Sequence, residues 1–254
     1  MFSVMAYRRF VALGDSTTEG LMDLYPDGTF RGWADRLAAR LAQDEPDLLY
    51  ANLAVRGKLA AQVAEEQLEP ALALEPDLAS VLSGLNDMLR RDCSVLSVIE
   101  RLDSIIGSLR EAGADVLAFT LPDPVPINPI AKGAALRLRN LNLAVRDLAV
   151  KHGAYLVDLE AHAVSSDRRL WHRDRLHANE LGHERIALAA AEALGLEGAD
   201  AGWTTPFADP LDPRSRVSHA VWAGKYLAPW VVRRLRGVSS GDGITAKRPN
   251  LEPF

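Results

Sequence analysis

A serine, a glycine, an asparagine and an Asp/His pair in this chain have the types and spacing that acyl transfer needs. Ser16 stands in "FVALGDSTTEG", where four apolar residues stop abruptly in a polar turn. A serine hydroxyl is a poor nucleophile unless an adjacent base takes its proton. Read locally, Ser16 and Glu19 also fit the Ser-x-x-Glu capping box of a helix start, so two roles stay open. His177 offers the base, because Asp174 precedes it by three residues in "DRLHANELGH". Such a carboxylate can accept the Nδ1 proton, fix the tautomer and steady the imidazolium while Nε2 faces a serine. His172 and His183 lie nearby, but neither has an Asp three residues before it. The bland alternatives are a surface histidine, and an Asp174 that pairs with Arg173 or Arg175.

Two further residues suit the negative charge of a tetrahedral intermediate. Asn86 can aim its side-chain NH2 at an oxyanion, and Gly57 has no Cβ to keep its backbone N–H away. Taken singly, the bland reading is stronger for Gly57, as a turn glycine, than for Asn86. Asp15 and Asp87 are read as loop support, their carboxylates holding nearby backbone N–H groups.

These residues need elements to bring them together. Apolar runs rich in Val, Leu and Ala predict strands over 7–13, 48–55, 78–83, 115–121 and 154–159. Helical periodicity fills the gaps, most clearly in Val95, Val98, Ile99, Leu102, Ile105, Ile106 and Leu109, with Gly113 as the stop. Ala134, Leu138, Leu141, Val145 and Leu148 mark a second helix, and Trp33, Leu37 and Leu41 a third. The helix after Gly57 is expected to end near Glu69, because Pro70 and Pro76 interrupt it. Strands alternating with helices predict a parallel sheet covered on both faces, with ligands beyond the carboxyl ends of its strands.

The candidate residues stand at those ends. "GDSTTEG" follows the first strand, and "NLAVRGK", with Gly57, the second. "SGLND", with Gly84, Asn86 and Asp87, follows the third, and "DRLHANELGH" follows the fifth after a polar loop. In this order the stretches resemble the SGNH hydrolases, also called GDSL esterases/lipases. Gly14, Asp15 and Ser16 match the family's first motif, and Gly57, five residues after Asn52, matches the second. Gly84, Asn86 and Asp87 match Gly-x-Asn-Asp. Asp174 and His177 match Asp-x-x-His, with Asn179 and Gly182 behind them. Each motif is weak singly; four in order at strand ends are strong. Ala178 stands where many members have Pro, which leaves the loop less rigid. The resemblance runs from about residue 7 to 195, and the tail after Leu196 lies outside it.

That resemblance implies a three-layer α/β/α sandwich with a five-stranded parallel sheet, flavodoxin-like in arrangement. It implies an esterase or lipase that forms an acyl-enzyme on Ser16, with the Ser16 N–H joining Gly57 and Asn86 in the oxyanion hole. It also tips Ser16 from cap to nucleophile and calls for no metal or organic cofactor. The ester itself stays open, since acetylated sugars, short acyl esters, lysophospholipids and thioesters are all handled in the family. The alternative is a non-catalytic protein that binds a small ligand on the same fold, with Ser16 as helix cap. Two other readings fare worse. A flavin phosphate at the first helix N-terminus would meet Asp15 and Glu19, and no Gly-x-x-x-x-Gly-Lys signature is present. His172, His177 and His183 are five and six residues apart, not the four of a His-Glu-x-x-His zinc site.

Composition sets the remaining bounds. The 254 residues are 48% hydrophobic and 25% charged, enough for one substantial core. A net charge of −5 gives no drive toward nucleic acid. The single cysteine, Cys93, excludes an internal disulfide. In "MFSVMAYRRF" the arginines follow the apolar stretch, the reverse of a secretory leader, and no run is long enough to span a membrane. The expected location is cytoplasmic. The chain divides into a hydrolase domain, 1–199, and a proline-containing linker with a basic aromatic tail, 200–254. That tail has eight Lys/Arg against five Asp/Glu, +3, leaving −8 on the body. Trp222, Tyr226 and Trp230 are expected to pack back on the domain, with Pro229 kinking their helix. Contact of this basic amphipathic helix with an anionic membrane surface is the less favoured reading. A cap over the site or a dimer contact is a third.

Overall fold

The computed structural model describes residues 6–211, 213 and 216–254. Residues 1–5, part of the stretch read for a leader, and 212, 214 and 215 in the tail segment lie outside the described residues. The five apolar runs form five parallel strands: β1 (Arg9–Gly14), β2 (Leu49–Asn52), β3 (Leu78–Leu82), β4 (Asp115–Phe119) and β5 (Tyr155–Val157). Phe10, Val11, Ala12 and Leu13 of β1 are fully buried, as expected of a strand covered on both faces.

Helices α1 (Ser16–Glu19), α2 (Gly32–Asp44), α3 (Ala60–Glu66), α4 (Leu68–Ala73), α5 (Leu85–Met88), α6 (Val95–Glu111), α7 (Ala135–His152) and α8 (Glu180–Ala193) fill the connections. α2 packs against α8 in one layer, while α6 packs against α3 and α7 in the other. The helix after Gly57 stops at Glu66, earlier than expected, and Pro70 lies inside the next one. It sits in the first turn of α4, where its missing N–H has no intrahelical partner to lose.

The sheet has six strands, not five, in the order β5-β4-β3-β1-β2-β6. β6 (Arg248–Pro253) comes from the tail and pairs antiparallel with β2. Its sequence, RPNLEP, has no strand signature, but it closes the open edge of β2. Lys247, just before β6, is half-buried beside the buried Asp35 of α2, with Nζ 2.7 Å from Oδ1. The same ammonium donates to the carbonyls of Phe30 (3.1 Å) and Arg31 (2.7 Å). Tyr50 and Tyr25 hydroxyls also donate to Asp35, so both partners of the pair are hydrogen-bonded further. Between linker and β6 run α9 (Arg216–Trp222), a wide π-helical turn over Ala223–Leu227, and α10 (Ala228–Leu235). The π turn lies just before Pro229, whose ring cannot follow an ordinary helical turn without a clash. Among the described residues, no helix is long and apolar enough to cross a membrane.

Candidate active site

Because the strand order reverses at β1, the carboxyl ends of β1 and β3 flank a crevice. Ser16 opens α1 directly after β1, and Asn86 lies in α5 directly after β3. Gly14 is required where it stands. A Cβ there would sit 2.3 Å from the Leu82 carbonyl oxygen of β3. The Gln67 side chain holds both its backbone groups, accepting from Gly14 N–H at 2.8 Å and donating to its carbonyl at 2.9 Å.

Asp15, not Ser16, is the cap of α1: its Oδ1 accepts from Thr17 N–H at 3.2 Å. Glu19 makes no capping box either. Its carboxylate accepts from the Arg56 N–H at 2.7 Å and pairs with the Arg56 guanidinium, so it ties α1 to the loop of Gly57. The Ser16 hydroxyl is left facing His177, with Oγ 3.1 Å from Nε2, and the residue is only 8% exposed.

His177 is held by a turn that Asp174 closes. Asp174 Oδ2 is 2.8 Å from His177 Nδ1, while Oδ1 accepts the N–H groups of Leu176 (2.9 Å) and His177 (3.1 Å). Burial pushes the Asp174 carboxyl up, but the His177 ring and these N–H groups outweigh it and hold the group well below the usual carboxylate range. The carboxylate therefore stays ionised against Nδ1. His172 also approaches it, with Nδ1 3.2 Å from Oδ2. His183 does not join: its Nδ1 accepts from Trp33 N–H, and its Nε2 meets the Leu21 carbonyl. Burial lowers its pKa to about 4, leaving it a neutral core histidine. Behind the pair, Asn179 caps α8 by accepting from Gly182 N–H at 3.0 Å.

The oxyanion candidates are less free than the sequence suggests. Asn86 Nδ2 donates to Asp15 Oδ2 (3.2 Å) and to the Lys58 carbonyl (3.0 Å). Both amide hydrogens are engaged, so an oxyanion would have to share one of them. Gly57 adopts φ +76°, and a Cβ there would lie 2.5 Å from Ser239 Oγ of the tail. Its loop hangs from β2 through Asn52, whose amide donates to the Thr18 carbonyl at 2.8 Å. Asp87 accepts from Ala60 N–H at 3.0 Å, at the α3 N-terminus, where Leu59 cannot cap.

Burial pushes the Asp15 carboxyl up to about 7. Between about pH 4 and 7 the folded state then keeps a proton that the unfolded chain has released. Wild-type stability is therefore lost as pH rises through that window, at about 1.4 kcal/mol per pH unit for this group. Asp15→Asn removes the effect, and its urea midpoint should gain on the wild type from pH 5 to pH 8. A gap that stays constant with pH would refute it.

Three residues at the site carried no motif. Arg175 is buried at φ +63°, inside the Asp174–His177 turn. Its guanidinium stacks 4.5 Å over the Trp222 ring, and Trp222 Nε1 donates to the Asp174 carbonyl at 2.8 Å. Ser239 backs Gly57. The tail thus touches both the Asp/His turn and the glycine loop. Only the aromatic character of Trp222 hinted at burial, and nothing in the sequence named its partner.

Ser16, His177 and Asp174 thus stand in hydrogen-bonded series at the top of a doubly wound sheet, an arrangement of the kind that serine-dependent acyl transfer needs. The sequence profile of the GDSL-like Lipase/Acylhydrolase family matches residues 12–185, and the chain belongs to that family. It is accordingly a hydrolase acting on ester bonds. No curated protein matches the chain in sequence. Among solved structures, that of TesA is 22% identical, covering 74% of this chain and 98% of its own, with a TM-score of 0.61. LAE5, an α/β hydrolase from the metagenome of Lake Arreo, Spain, is 24% identical over 74% of this chain and 95% of its own, TM-score 0.61. Axe2, an acetylxylan esterase from Geobacillus stearothermophilus, is 18% identical over 76% and 97%, TM-score 0.61. At these identities the likeness is one of fold.

Proposed function

We propose that the chain hydrolyses a carboxylic ester through an acyl-enzyme on Ser16. The observation that carries this is the unbroken series from Ser16 Oγ to His177 Nε2 (3.1 Å) and from Nδ1 to Asp174 Oδ2 (2.8 Å). Ser16 Oγ attacks the ester carbonyl while its proton passes to His177 Nε2. The tetrahedral oxyanion rests on the N–H groups of Ser16 and Gly57 and on the Asn86 amide. Collapse expels the alcohol, protonated by His177. Water, deprotonated by the same ring, then attacks the acyl-enzyme and releases the acid, and the proton returns to Ser16. Asp174 stays ionised throughout, as its lowered pKa supports.

The test sets wild type beside Ser16→Ala on p-nitrophenyl acetate, butyrate and octanoate. Hydrolysis that disappears in the variant supports the reading, and the chain-length order begins the substrate search. Equal rates for both proteins would overturn it. Phosphofluoridate labelling of Ser16 gives a second, turnover-independent readout. For the oxyanion hole, Asn86→Ala should lower kcat about 100- to 1000-fold with KM little changed. An unchanged kcat would remove Asn86 from the mechanism.

A further inference from the structure

The tail helix packs one row inward. Trp222 is buried, and Tyr226 and Trp230, each four residues on, are half-buried. The outward side is apolar as well. Val217, Val221, Val231, Val232, Leu235 and Val238 are exposed, Val217 by 72% and Leu235 by 83%. These are six of the sixteen exposed large hydrophobics among the described residues, gathered within 22 positions. Leu136, Leu143 and Val150 lie exposed along α7, and Leu181 and Leu188 along α8, but the tail holds the largest group, and such a cluster marks an interaction surface.

Charge identifies the occupant. Between Asp212 and Asp242 the chain has six Lys/Arg and no acidic residue. Lys225 and Arg233 are exposed on the same helical segment as four of the valines, and exposed Arg236 follows α10 directly. A two-fold contact between copies through this face would set cations against cations. An anionic lipid surface satisfies both halves at once: the headgroups meet the arginines, and the acyl boundary takes the valines and Leu235. We infer that residues 216–238 dock the protein on anionic lipid surfaces. The anchorage is firm, because Trp222 fastens this helix to the Asp174 turn and β6 with Lys247 fastens its far end to the sheet. The inference does not depend on the hydrolytic reading and can be measured equally on Ser16→Ala.

The experiment is sedimentation of the full chain with vesicles of phosphatidylcholine, with and without phosphatidylglycerol. Binding should appear with phosphatidylglycerol and weaken with salt. Arg233→Ala and Arg236→Ala should each lower partitioning roughly fivefold. Val231→Asp with Leu235→Asp should lower it at least about tenfold. All four positions are exposed, so circular dichroism and Tm should match the wild type. No binding to phosphatidylglycerol vesicles at low salt overturns the proposal, as does binding indifferent to these substitutions. A concentration-dependent dimer that the same substitutions dissolve, without vesicle binding, assigns the face to a second copy instead. Retention on heparin that survives Val231→Asp with Leu235→Asp, without vesicle binding, reduces it to a polyanion contact.

Discussion

Ser16→Ala is expected to lower turnover of p-nitrophenyl esters by about four to six orders of magnitude, and His177→Ala by a similar factor. The two groups act as one unit. Without the imidazole the buried hydroxyl keeps its proton, and without the hydroxyl the imidazole has nothing to activate but water. The double variant should therefore be little worse than either single one, because the losses are not additive. Neither change should unfold the protein. Asp15 caps α1, so alanine at position 16 removes no cap. A Ser16→Ala protein that unfolds in urea like the wild type but keeps its activity would refute the nucleophile.

Asp174→Asn is expected to lose up to roughly four orders of magnitude in kcat. The asparagine oxygen can still accept the N–H groups of Leu176 and His177, so the turn should persist. Its NH2 would then face His177 Nδ1, a donor where an acceptor is needed. The ring would turn to the tautomer with its proton on Nε2, which cannot take one from Ser16. Full activity in Asp174→Asn beside a dead His177→Ala would make the site a Ser/His dyad. A loss confined to KM would instead mean that the change acts on substrate binding.

Much of this was legible in the order of residues. Strands β1 to β5 showed as apolar runs, because a parallel sheet covered on both faces buries nearly every side chain of its inner strands. The strand-end rule then singled out Ser16, Gly57, Asn86 and His177, since a doubly wound sheet collects the residues after its strands into one crevice. The pairing of Asp174 with His177 was local, settled by a turn of four residues. The role of Ser16 was not local. Ser-x-x-Glu reads as a capping box, and only the fold shows Asp15 taking the cap while Glu19 turns to Arg56.

By itself, then, the sequence determined the elements, the motif order and the Asp/His turn, all written in short-range periodicity and spacing. Tertiary structure alone decided the sixth strand, the pairing of Lys247 with Asp35 and the docking of Trp222 on Asp174. It alone decided the closure of Ser239 over Gly57 and the engagement of both Asn86 hydrogens. The reason is physical. RPNLEP has no preference of its own for a strand and acquires one from the unpaired edge of β2. A buried carboxylate such as Asp35 or a stacked arginine is stable only where a partner from a distant part of the chain already waits, and no local pattern encodes such a partner.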